Sequence, residues 1–177
     1  ASIGAGFLTN RKTMETILQK RIVPGAVVDQ VADAVPLAEA LLAAGLDVIE
    51  ITFRTAAAEE SIRQIRQRVP QMQVGAGTLL KPEQVDRARD AGAGFGVAPG
   101  LNETVVLRAR ERKLPFIPGV MTPSEVEAAL GLGCQVQKLF PADVAGGPKM
   151  AKALAGPYGH TGLKLIPLGG INPANAA

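Results

Sequence analysis

Seven short apolar segments recur along this chain at nearly even spacing, and that recurrence restricts its fold more than any single motif. They are "IVPGAVV" from Ile22, "DVIEITF" from Asp47, "QVGAGT" from Gln73, "GFGVAP" from Gly94, "PFIPGV" from Pro115, "QVQKLFP" from Gln135 and "GLKLIPLGG" from Gly162. Their starts lie 20 to 27 residues apart, about the length that a strand, a turn, a helix and a second turn consume. The segments are almost continuously apolar rather than alternating, which fits parallel strands covered on both faces. Consecutive βα units of this kind build either an open doubly wound sheet or a (β/α)₈ barrel. The short, even intervals and the Gly and Pro at strand ends predict the barrel, an α/β fold.

The segments between the strands carry helix signals at their ends. "TPSEVEAAL" offers Thr122 as N-cap, Pro123 at the first helical position and Glu125 for a capping box. "PEQVDRARDAG" starts at Pro82 and stops at Gly92, and "LNETVVLRARERK" has Asn102 as a cap. "VADAVPLAEALLAAG" ends at Gly45, with Pro36 near its first turn. The last segment, "GGINPANAA", ends as a further helix would start, with Asn172 as cap and Pro173 at its first position. A barrel of seven strands leaves two unpaired edges. The expectation is therefore a single TIM-barrel domain over residues 1–177, C-terminally incomplete, with the eighth βα unit missing.

Composition removes several classes of function. Five Phe and one Tyr are the only aromatics, and the net charge is +3 with the basic residues scattered. Arg63, Arg66 and Arg68, and likewise Arg108, Arg110, Arg112 and Lys113, read as solvated helix faces. Nucleic-acid binding has little support, whereas a mildly positive balance suits a small anionic substrate. No apolar run approaches the roughly 18 residues of a membrane span, and "ASIGAGFLTN" does not read as a signal peptide. Cys134 is the single cysteine and His160 the single histidine. They preclude an intrachain disulfide and make a His/Cys zinc site an unexpected reading; no metal and no cofactor is expected. Cys134 reads as an apolar filler and His160 as a loop residue.

In a parallel barrel the chemistry sits at the C-terminal ends of the strands. Those ends carry Glu50, Arg54 and Thr55, then Thr78, Pro99 and Gly119, then Lys138 and Phe140, and finally Gly169 and Gly170. Lys138 either snorkels to water from a strand end or serves as a nucleophile. Inward Glu50 and inward Lys138 are each costly alone. In one barrel they offset each other and can share a proton, with burial lowering the amine's pKa and the carboxylate raising it. A neutral amine can attack a carbonyl. Arg54 can clamp a carboxylate bidentately, although a structural salt bridge with Glu50 is the alternative. Thr78 adds a hydroxyl, and the glycines of "GAGT" let substrate approach the backbone. The "GGINP" turn leads to a helix N-terminus that can hold phosphate. Singly, these glycine signals also serve plain turns.

"VIEITFRT", "VGAGTLLKPEQ", "VAPGLN", "FIPGVMTPSE", "QKLFPADVAGG" and "GGINPAN" occur in this order. The series resembles the 2-keto-3-deoxy-6-phosphogluconate aldolase family, also described as 4-hydroxy-2-oxoglutarate aldolase. The resemblance runs from about Ile22 to the end of the chain. It implies a class I aldolase on a (β/α)₈ barrel, cytoplasmic and homotrimeric, which cleaves a phosphorylated keto sugar acid to pyruvate and glyceraldehyde 3-phosphate. By resemblance Lys138 forms the Schiff base and Glu50 is the general acid/base. Arg54 and Thr78 hold the pyruvyl carboxylate, Pro99 and Phe140 line the pocket, and Gly169 and Gly170 contribute to the phosphate end. The chain departs from the family's "PTGG" with "PLGG", so Leu168 replaces a threonine. The same chemistry on 2-keto-3-deoxy-6-phosphogalactonate or 4-hydroxy-2-oxoglutarate is the alternative. A non-catalytic barrel scaffold or phosphate binder is the alternative from another class.

Overall fold

The computed structural model describes residues 14, 15, 17–20, 22–172, 174 and 175. Each of the seven apolar segments contributes strand structure. The strands are β1 (Gly25–Ala26), β2 (Val48–Thr52), β3 (Gln73–Gly77), β4 (Gly96–Val97), β5 (Phe116–Ile117), β6 (Gly119–Val120), β7 (Val136–Leu139) and β8 (Lys164–Pro167). Between them lie α1 (Ala34–Ala43), α2 (Ala58–Arg68), α3 (Pro82–Asp90), α4 (Glu103–Glu111), α5 (Pro123–Gly131) and α6 (Pro148–Tyr158). Every strand pairing is parallel, in the orders β1-β2-β3-β4-β5 and β6-β7-β8. Alternating strand and helix with parallel neighbours is the (β/α) pattern that the spacing predicts.

Two strands differ from expectation, for the same chemical reason. "PFIPGV" reads as one strand but forms β5 and β6 on either side of Pro118. Proline has no N–H to give the ladder, while its carbonyl accepts from the Lys138 N–H at 2.9 Å. Pairing passes there from β4 to β7. "IVPGAVV" forms only the two residues of β1, because Pro24 likewise cannot donate; its carbonyl accepts from the Glu50 N–H at 2.8 Å. Among the described residues no strand pairs with the outer edges of β1 and β8, and the ring is not closed.

The helix ends follow the sequence closely. Thr122 and Glu125 form the capping box at α5, with the Glu125 carboxylate accepting from the Thr122 N–H at 2.8 Å. Asn102 accepts from the Thr104 N–H at 3.1 Å to cap α4. Pro82 opens α3, and Gly92, at φ 98°, follows its end in the left-handed region. Pro36 falls in the first turn of α1, where its missing N–H has no intrahelical partner to lose. Asn172 accepts from the Ala174 N–H at 2.9 Å, a cap-like turn; Pro173 lies outside the described residues.

Strand parity divides the core into two populations. Ile49, Ile51, Val74, Ala76 and Leu139 face outward and are buried under the helices. Val48, Val97, Ile117, Val136 and Ile166 face inward, where they pack with Phe95 and with Ile17 from the N-terminal segment. These inward residues make an apolar floor inside the curved sheet. Surface ion pairs such as Arg108 with Asp86, doubly bonded at 2.9 Å, connect neighbouring helices. Being open to solvent, such pairs are screened and add little to stability. Burial of the two apolar faces therefore dominates stability.

Gly119 joins the two halves of the sheet at close quarters. A Cβ there would stand 2.6 Å from the Gly100 nitrogen and closer still to the Pro99 carbonyl. Backbone cannot swing aside as a side-chain tip can. Gly119→Ala is therefore expected to lower stability by about 2 kcal/mol or more, on the scale of overpacking in a close-packed core. Chemical denaturation of the variant reads this directly, and an unchanged midpoint refutes it.

Candidate active site

The same parity that builds the floor sets Glu50 and Lys138 above it. Glu50 follows Val48 by two residues on β2, and Lys138 follows Val136 by two on β7, so both point inward. Glu50 is 4% exposed and Lys138 6%. Within the ladders Glu50 lies between Gly25 and Gly75, and Lys138 between Gly119 and Ile166. Three of those four neighbours are glycines, and of these only Gly25 has open space where a side chain would stand.

Neither group can be in its ordinary electrostatic state over an apolar floor. Burial raises the Glu50 pKa above that of a free carboxylic acid, and the positive charge of Lys138 pulls it part of the way back. Burial lowers the Lys138 pKa, and the Glu50 charge opposes that shift. Desolvation leads for both, so each neutral form is favoured. No ion pair or hydrogen bond joins the two directly among the described residues. They interact through the low-dielectric interior. The Lys138 amine stands 4.8 Å from the centre of the Phe140 ring, two residues on and just past the end of β7. An amine that is buried, faces an aromatic ring and is relieved of part of its proton affinity is chemically a nucleophile.

The remaining predicted residues lie around the C-terminal ends of the strands. Arg54, exposed just after β2, has no hydrogen-bond or ion-pair partner among the described residues. The salt bridge with Glu50 that was the alternative for this arginine does not form. Thr78 follows β3 at φ 58°, a left-handed conformation that a β-branched residue rarely adopts. Strain of this kind costs on the order of 1–3 kcal/mol and concentrates at functional sites. The Thr78 hydroxyl has no partner among the described residues. Pro99 presents its carbonyl toward Gly119 across the loop after β4.

Leu168 is half-buried and pinned at both backbone groups. Its N–H donates to the Leu139 carbonyl at 3.0 Å, and its own carbonyl accepts from the Ala142 N–H at 2.8 Å. Gly169 and Gly170 follow in left-handed conformations, φ 97° and 77°. Gly169 lies against the Phe140 ring, where a Cβ would stand 3.1 Å from Cε2. Lys138, Phe140, Leu168 and Gly169 are thereby brought together on one side of the interior. Glu50 on β2, with Arg54 and Thr78 just past the ends of β2 and β3, lies on the other side.

Two features escape a reading of the sequence. The glycines of "GAGT" are expected to admit substrate to the backbone. At Gly77 that space is already filled, because the Glu50 carboxylate lies against the Gly77 Cα. In the same way the Phe95 ring lies against Gly75. The second is a polar tie at the far end. Asn175 donates to the Asp143 carboxylate at 3.1 Å and to the Gly170 carbonyl at 3.0 Å, and the Asp143 N–H donates to the Gly169 carbonyl at 2.9 Å. "QKLFPADVAGG" contains Asp143, but only the fold brings it under Gly170. Among the described residues no group of three or more His, Cys, Asp or Glu lies close enough to hold a metal ion. Cys134 is half-buried among apolar neighbours, and burial pushes its thiol up to about 11. No described helix is long and apolar enough to cross a membrane.

A family model described as KDPG and KHG aldolase matches residues 14–177. A 2-dehydro-3-deoxy-phosphogluconate aldolase of Treponema pallidum is 44% identical over 163 residues, covering 92% of this chain and 77% of the relative. A KHG/KDPG aldolase of Escherichia coli K12 is 44% identical over 154 residues, covering 87% and 71%. Among solved structures, the 2-keto-3-deoxy-6-phosphogluconate aldolase of Zymomonas mobilis with 3-phosphoglycerate superposes with a TM-score of 0.88 at 38% identity, covering 94% and 78%. A KDPG aldolase from Legionella pneumophila, holding pyruvate captured at low pH as a covalent carbinolamine intermediate, gives 0.85 at 38% identity, covering 89% and 75%.

Proposed function

This chain belongs to the KDPG and KHG aldolase family, and on that premise we propose that it is a class I aldolase. It cleaves 2-keto-3-deoxy-6-phosphogluconate to pyruvate and glyceraldehyde 3-phosphate through a Schiff base on Lys138. The observation that carries the reading is the buried Lys138 amine facing Phe140 in the same interior as Glu50.

The chemistry follows from those groups. Neutral Lys138 adds through Nζ to the C2 carbonyl carbon of the substrate, giving a carbinolamine. Glu50, whose protonated form burial favours, delivers a proton through water to the departing hydroxyl, and an iminium forms. The ionised Glu50 then accepts the C4 hydroxyl proton by the same route. The C3–C4 electron pair flows into the iminium, and the aldehyde leaves an enamine behind. Protonation at C3 and hydrolysis release pyruvate and regenerate the amine. A group used alternately as acid and base works best with a pKa moved toward the operating pH, which is the direction of the Glu50 shift.

Arg54 and Thr78 receive the pyruvyl carboxylate. Arg54 offers an unpaired planar fork, and Thr78 offers an unengaged hydroxyl. Pro99 and Phe140 bound the pocket, and Gly169 and Gly170 belong to the phosphate end. Arg54→Ala is expected to raise KM for the keto acid about 10- to 100-fold, the range of a charge-assisted hydrogen-bonded pair, with a smaller change in kcat. Steady-state kinetics check this, and an unchanged KM removes Arg54 from the carboxylate site.

A second substrate reading rests on Leu168, an apolar residue next to Gly169 where the family pattern has a hydroxyl. Release of pyruvate, followed from 2-keto-3-deoxy-6-phosphogluconate, its galactonate epimer and 4-hydroxy-2-oxoglutarate in parallel, tests the function and ranks the substrates. Cleavage of none of them overturns the class, and faster cleavage of either alternative replaces the first substrate. A homotrimer and a cytoplasmic location complete the proposal. Exposed Leu80, Met121 and Val144, all on loops after strand ends, support association of copies at that rim.

A further inference from the structure

We infer that Gly77 is a positioning residue for Glu50: the missing side chain of this glycine is the seat that fixes the acid/base carboxylate. The inference rests on the role proposed above for Glu50 and adds what holds that residue in place. Gly77 closes β3 two residues beyond Gly75, and both face the interior because Val74 and Ala76 face the helices. Gly77 pairs in register with Thr52, two residues beyond Glu50 on the same inward row. The carboxylate leans along that row. A Cβ on Gly77 would stand 2.8 Å from Glu50 Cγ and 2.6 Å from Cδ, and closer still to Oε1.

Gly77 does not adopt a left-handed φ, so its backbone makes no demand for glycine. What excludes a larger residue there is the Glu50 side chain. Its backbone is already held by the ladder, since the Gly77 carbonyl accepts from the Phe53 N–H at 2.7 Å. An added methyl group therefore displaces the free tip of Glu50 rather than the strand. Gly119 is the contrasting case, because there the obstruction is main chain. No hydrogen bond fixes the Glu50 carboxylate among the described residues, which leaves its position to the surface that it rests on. A displacement of about 1 Å at a reacting group can cost on the order of 10²-fold in rate.

The test is reciprocal. Gly77→Ala is expected to lower kcat about 10²-fold with KM changed less than about threefold. The acid limb of the pH–rate profile should move, because Glu50 leaves its seat. Glu50→Asp withdraws the carboxylate by one methylene. In the Gly77→Ala background it should restore kcat at least about tenfold above the product of the two single losses. Wild-type kcat in Gly77→Ala, or losses that simply multiply, overturns the inference. If Gly77→Ala does not fold, the double variant decides: recovered folding and turnover support the fit, and a double variant that stays unfolded refutes it. Glu50→Gln separates the two levels. Full activity in that variant overturns the role of Glu50 and this inference together. Loss there, beside an unaffected Gly77→Ala, overturns this inference alone.

Discussion

Lys138→Met is expected to abolish aldol cleavage, with a loss on the order of 10⁴-fold or more in kcat, the scale on which removal of a covalent nucleophile acts. The fold should survive. Methionine matches the lysine stem in length and suits a site that is 6% exposed between Ile166 and the Phe140 ring. The change also removes an amine whose protonation is opposed by burial. With the cation gone, the Glu50 pKa rises further, because Lys138 is the influence holding it down. A group whose folded pKa is raised contributes stability that is complete below its unfolded value, near 4.5, and is lost as pH rises through the folded value. The variant should therefore be most stable in mild acid and decline toward neutrality. Borohydride reduction with pyruvate should label the native chain at Lys138 and leave the variant unlabelled. A labelled variant, or a native adduct on another residue, would falsify the Schiff-base assignment.

Glu50→Gln should lower kcat about 10²- to 10⁴-fold, the range typical of general acid–base groups. Its pH dependence is the more specific readout. In the native chain Glu50 raises the Lys138 pKa against the larger lowering by burial. Glutamine removes the opposing influence, so the Lys138 pKa falls further. The residual activity should then extend to lower pH than in the native enzyme. Trapping with pyruvate and borohydride should decline much less than turnover, since the neutral amine becomes more available. Stability reports independently. The native chain loses stability as pH rises through the raised Glu50 pKa, and the glutamine variant lacks that slope. An acid limb displaced to higher pH, or turnover equal to the native rate, contradicts the role given to Glu50.

Much of this site is legible in the amino-acid sequence, because it rests on two periodicities. The βα interval puts Glu50 and Lys138 at the same ends of their strands, and the two-residue alternation turns both inward with Val48 and Val136. Caps at Thr122 and Asn102 are local hydrogen-bonding rules and appear where the sequence has them. What cannot be read is contact across the fold. The division of "PFIPGV" at Pro118 depends on which neighbour needs a donor at that register. The occupied space at Gly77 depends on the direction in which a carboxylate leans from another strand. The left-handed Thr78 gives no signal at all, since threonine is a poor residue for that conformation. The tie from Asp143 to Asn175 spans 32 residues and requires the β8 turn to be in place.

The apolar floor has a kinetic consequence. Ile17, Phe95, Val97, Ile117 and their neighbours pack the interior with apolar side chains, so an amine there is favoured in its neutral, bond-forming state. On the proposed Schiff base the keto acid stays bonded to Lys138 when the aldehyde is cut free. Departure is therefore sequential: the aldehyde leaves first, and the keto acid follows after hydrolysis. In the synthetic direction the keto acid must arrive first and be converted to the enamine before an aldehyde is of use. A covalent tether thus imposes order on two products without any moving gate.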